Sequence, residues 1–118
     1  MSNQDLIDHV NSIAKNLTDG ITYEDAGMVD DDAPYGADDI VTGFDYICDA
    51  LDIEYRVSNK RAFIGAHVLV SFGGPNIWIN TQTDTVEGHW WGDSYSASYA
   101  DTMNIGDAVE ELYLMGGE

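Results

Sequence analysis

Basic residues are nearly missing from this chain: four lysines and arginines stand against 22 aspartates and glutamates in 118 residues, a formal charge of −18. A surface so anionic repels phosphate, which argues against binding nucleic acid or anionic membrane and favours a cationic partner. Cysteine occurs once, at Cys48, so no internal disulfide can form. Its place among apolar helix positions predicts a buried, inert thiol. No apolar run approaches the roughly 20 residues that a membrane helix needs. Asp5, Asp8 and His9 interrupt the apolar positions near the start, unlike a signal-peptide core. These absences lead to the expectation of a soluble, cytoplasmic protein. What is present is enough to fold, since 44% hydrophobic and 11% aromatic residues lie within the globular range despite the charge.

The pattern of apolar residues predicts an α+β chain of one domain, residues 1–118. It has two N-terminal helices, an antiparallel sheet of four to five strands and one C-terminal helix. Leu6, Ile7, Val10, Ile13, Ala14 and Leu17 recur at helical spacing, giving a helix over 3–18 with Ser2 as cap and Asp19-Gly20 as stop. Residues 21–36 read as a long acidic loop. A second helix is expected over about 38–52, with Ile40, Val41, Phe44, Ile47, Cys48 and Leu51 on its apolar side. At about 100° per residue, Asp38, Asp45, Asp49 and Asp52 then form one row within roughly 40° on the opposite side.

From Ile53 the period changes to two, predicting strands at 53–57, 61–72, 76–80 and 85–91, with a fifth edge segment at 94–99. The continuous apolar run of 61–72 suggests that both of its faces are partly covered. Trp90 and Trp91 must point to opposite faces, and two of the three tryptophans are expected in the core. Asp101 should cap a last helix carrying Ile105, Ala108, Val109, Leu112 and Met115, stopped by Gly116-Gly117.

Catalytic patterns are not found. Read as a calcium loop from Asp30, the fifth position is Pro34 and the twelfth Val41, so the oxygen ligands fail to recur. His9, His67 and His89 lack zinc spacing. The serines at 94, 96 and 98 lie in no nucleophile elbow, and no glycine pattern matches a phosphate loop. The expectation is a protein without enzymatic activity, with no catalytic residues, no metal and no cofactor.

The charge itself is uneven. Residues 1–54 hold fourteen acids and one lysine, a net −13, while residues 55–118 hold eight acids and three bases, a net −5. Three of the four bases, Arg56, Lys60 and Arg61, cluster at one hairpin. A general adaptation to brine would spread acids evenly, so a salt-adapted housekeeping domain is the weaker alternative. A compact chain of this length is about 35 Å across, and duplex DNA of that length carries roughly 20 phosphates, close to the protein's own charge. Along the aspartate row the match is coarser, about one charge per 7 Å against ~3.4 Å in a DNA strand. Asp30, Asp31, Asp32, Asp39 and Glu54, with Asp107, Glu110 and Glu111 of the last helix, would fill the gaps.

In size, acidity and the stripe from Asp30 to Glu54 the chain resembles the small DNA-mimic proteins of bacteria, phages and plasmids. The neisserial mimic that binds the histone-like protein HU is similar in size and charge, and antirestriction and anti-CRISPR inhibitors are similar in strategy. The resemblance implies a protein, monomeric or a small homo-oligomer, that occupies the DNA-binding site of a basic protein. That partner would be an HU-like nucleoid protein or, alternatively, a restriction or CRISPR component. The implied contact surface is Asp30, Asp31, Asp32, Asp38, Asp39, Asp45, Asp49, Asp52, Glu54, Asp107, Glu110 and Glu111.

Overall fold

Five consecutive strands pair antiparallel with their sequence neighbours, which is the meander that short turns between alternating segments should produce. In this computed structural model residues 3–28, 36 and 38–115 are described. The elements are α1 (Asn3–Asp19), α2 (Gly43–Cys48), β1 (Asp52–Val57), β2 (Phe63–Ser71), β3 (Asn76–Asn80), β4 (Thr85–Trp90), β5 (Asp93–Ser98) and α3 (Ile105–Leu114). The α+β architecture expected from the sequence is the one observed. The Ser2 cap, the Gly116-Gly117 stop and the Asp30 to Asp32 triplet lie outside the described residues.

Alternation sorts each strand into an inner and an outer set. Ala66, Val68, Ile77, Ile79 and Val86 point inward and join Leu6, Val10 and Leu17 of α1 and Ile105 and Val109 of α3 in one core. α1 packs on β4 and β5, α3 on β2, and α2 on α3, so the helices form one layer on one side of the sheet. At Gly88 the approach is so close that an added Cβ would stand 2.5 Å from Val10 Cγ2 and 2.8 Å from Leu6 Cδ1. The other sheet face carries no helix among the described residues. It presents Glu54, His67, Trp78, Asn80 and Glu87, and Leu69 is sheltered there at only 8% exposure.

The second helix departs most from expectation: it runs over Gly43–Cys48, not 38–52. Upstream, residues 39–41 are drawn into extended pairing with the chain after α1. Tyr23 N donates to Asp39 O at 3.0 Å, Val41 N donates to Ile21 O at 2.8 Å, and Thr22 bridges Ile40. Thr42 then starts the helix, its hydroxyl accepting from Asp45 N at 3.1 Å. Downstream, Leu51 N donates to Leu69 O at 2.9 Å, which commits the following residue to β1. Hydrogen bonds to distant chain thus override the local 3.6-residue period. With the helix shortened, Ile40 and Leu51 are exposed rather than core, and Cys48 is an exposed thiol rather than a buried one.

The tryptophans also differ from expectation. Trp90 alone packs against the core, Trp78 is half-buried on the outer sheet face, and Trp91 is 85% exposed. Asp101 does cap α3, from a residue three positions before the N-cap Asn104. Its two carboxylate oxygens accept from Ile105 N at 2.7 Å and Gly106 N at 2.9 Å.

Candidate functional site

The acids expected to form one row occupy three settings. Asp38 and Asp39 lie in the exposed turn before the Ile40 bridge, where Asp39 Oδ2 accepts from Gly36 N at 2.8 Å. Asp45 sits on α2 and Asp49 is its C-cap residue, while Asp107, Glu110 and Glu111 are exposed on the adjoining α3. Asp52 and Glu54 belong to β1 and stand opposite Leu69 and His67, on the outer face of the sheet. A continuous helical row of Asp38, Asp45, Asp49 and Asp52 therefore does not exist, because the chain leaves the helix before Asp52.

What the fold brings together is a different set. α2 packs on α3, so Asp45 and Asp49 share a layer with Asp107, Glu110 and Glu111. Asp107 and Glu111 flank an open groove floored by residues 40–44. α1 and the segment after it add Asp5, Asp8, Asp19, Glu24 and Asp25 to the same layer, all exposed. The described residues outside 52–98 carry thirteen carboxylates against Lys15 alone, a net charge of −12. Lys15 is itself taken by Asp19, 2.9 Å away. The sheet segment 52–98 carries five acids and three bases, a net of −2. The stripe read from Asp30 to Glu54 missed α1; a count of charge per element, with helices placed on one side, would have found it.

One acid in this layer has a structural task. The Tyr23 hydroxyl donates to Asp45 Oδ2 at 2.6 Å and accepts from Thr42 N at 3.4 Å, tying the chain after α1 to the start of α2. The bond to Asp45, then burial, raises the Tyr23 hydroxyl above the usual phenol range.

On the opposite face a short polar chain crosses four strands, β1 to β4. Arg56 Nη2 lies 3.2 Å from His67 Nδ1, and His67 Nε2 lies 3.8 Å from Glu87 Oε1. Asn80 and Thr85 donate to Glu87 Oε2 at 3.1 and 3.2 Å, and the Trp78 ring lies 6.0 Å from that of His67. Glu87 is thus held by its neighbours. Among the described residues no group of three His, Cys, Asp or Glu side chains is arranged to hold a metal, and no helix is long and apolar enough to cross a membrane. No family model, curated protein or solved structure matches the chain.

Proposed function

We propose that the protein is a DNA mimic without enzymatic activity. Its acidic helical layer occupies the DNA-binding site of a basic DNA-binding protein in the cytoplasm, of the HU-like nucleoid class, and so blocks or regulates that protein's access to DNA. The observation that carries this reading is the partition of charge: among the described residues, those outside 52–98 carry a net −12, and their one base, Lys15, is already paired. The molecule measures 41 × 40 × 24 Å, a slab about 40 Å across its broad side. Duplex DNA about 40 Å long carries roughly 24 phosphates, of which about half face any one side. The helical layer supplies charge of that order.

Most of these carboxylates stand on helices already braced by the core, so their pattern is set on folding and costs little further ordering on binding. Charge of this density also accelerates encounter with a cationic cleft and makes the complex sensitive to salt. Restriction or CRISPR components would be engaged by the same physics, and the identity of the captured protein distinguishes the two cases.

Immobilised protein should capture a DNA-binding protein at about 50 mM salt and release it by about 200 mM, over which a phosphate-type contact loses orders of magnitude in affinity. Duplex DNA should displace the captured protein. The triple variant Asp107→Asn, Glu110→Gln, Glu111→Gln should bind at least about tenfold more weakly, the loss of roughly 1.4 kcal/mol. Capture of no DNA-binding protein at low salt, or unchanged activity in the triple variant, would favour an acidic housekeeping domain instead.

A further inference from the structure

The turns β2–β3 and β4–β5 meet at one end of the sheet and border a wide-mouthed surface cavity of about 480 Å³. Its walls include Phe72, Trp90, Trp91 and Asp93, with Asn76 and His89 beside them. Trp90 and Trp91 stand 5.7 Å apart, centroid to centroid, with their planes at 84°. One ring meets the other edge-on, and the ring face left uncovered by that contact is a negative surface that can receive a cation.

The backbone adds an independent sign. Trp90 pairs with Asp93, so Trp91 and Gly92 form a two-residue hairpin loop, with φ of 51° and 84°. Such a loop favours Asn, Asp or Gly at its first position, and a tryptophan there is strained. Trp91 and Phe72 are also 85% and 74% exposed, so neither is held there by the core. A strained, exposed aromatic facing a cavity is the pattern of a ligand clamp.

Charge selects the ligand. Among the described residues Asp93 is the carboxylate that lines the cavity, and no lysine or arginine does. Arg56, Lys60 and Arg61 are sent by the meander to the β1–β2 turn at the opposite end of the sheet. We propose that this cavity is an aromatic cage for a quaternary ammonium headgroup, with Trp90, Trp91 and Phe72 as its walls and Asp93 as the counter-charge. A methylated ammonium suits it better than a bare one because it surrenders little hydration and sets methyl groups against the rings. No residue of the cage belongs to the acidic helical layer, so this site and the proposed mimicry stand or fall separately.

Titration with tetramethylammonium and with choline, followed by the indole N–H resonances, tests the assignment. Saturable shifts at Trp90 and Trp91, with Trp78 unmoved, are expected, with a dissociation constant on the order of 1 mM. The neutral isostere 3,3-dimethylbutan-1-ol should bind about tenfold more weakly or worse, since it lacks the charge. Trp91→Asn should lose binding by a similar factor while its melting temperature stays level or rises, because asparagine tolerates the turn. Tighter binding of trimethyllysine amide than of choline would assign the headgroup to a protein side chain, and the reverse to a free small cation. The proposal is overturned if no saturable shift appears, if the isostere binds as well, or if Trp91→Asn retains binding.

Discussion

Tyr99 is 6% exposed, and its hydroxyl has no hydrogen-bond partner among the described residues. Burial first, then the nearby Asp101 and Asp84 carboxylates, hold its proton far beyond the usual phenol range. Tyr99→Phe should therefore stabilise the protein by about 1 kcal/mol at neutral pH, since it removes an unmade hydrogen bond. The sign of the pH dependence follows from the raised folded-state value. Below about pH 10 both states keep the proton; above it the unfolded tyrosine ionises while the folded one does not, and stability is lost. The advantage of Tyr99→Phe should thus widen between about pH 9 and 11 in urea melts; a constant or negative difference would refute the argument. At this scale the sequence was a poor guide. Nothing local to Tyr23 or Asp45 announces that they bond across 22 residues, and nothing local to Cys48 reveals its exposure.

The elements were legible in proportion to their length and regularity. α1 and the five strands follow periods that the core then uses, whereas α3 begins three residues later than a cap at Asp101 would place it, although Asp101 still bonds its first turn. α2 was misjudged because 38–52 has helical spacing while its ends have better partners elsewhere: residues 21–23 on one side and Leu69 on the other. The contact between α1 and β4 depends on Gly88, which leaves room for Val10 and Leu6. Gly88→Ala should cost about 1–3 kcal/mol through overpacking, read as a lower urea midpoint with an unchanged slope. Gly92→Ala meets no atom within 4 Å, but at φ 84° the new side chain brings backbone strain in place of a clash. A neutral Gly88→Ala would mean that α1 sits farther from the sheet than described.

At the scale of the whole molecule, charge is segregated along the chain: among the described residues the helices together with the segments that adjoin them carry most of it, and 52–98 little. Like charges gathered on one side oppose folding, and salt should relieve them. The thermal midpoint should rise between about 20 and 500 mM NaCl, as the Debye length falls from roughly 20 Å to about 4 Å. The triple variant at Asp107, Glu110 and Glu111 should show a smaller rise. A flat response in the unaltered protein would mean that the carboxylates stand too far apart to repel one another. The proposed capture of a basic partner belongs to this scale too, because it depends on the field of the layer and on no single acid.

Composition and periodicity alone determined the anionic character, the α+β class and where the strands fall along the chain, because these follow from side-chain chemistry and from spacing. Which carboxylates share a surface was decided by tertiary structure. Asp49 and Asp52 are three residues apart, yet one caps α2 in the helical layer and the other faces outward from β1. Asp107, far away in sequence, joins the layer because α3 packs on α2. The aromatic corner of Trp90 and Trp91 likewise arises only when a tight turn rotates two adjacent side chains that a continuing strand would have sent to opposite faces.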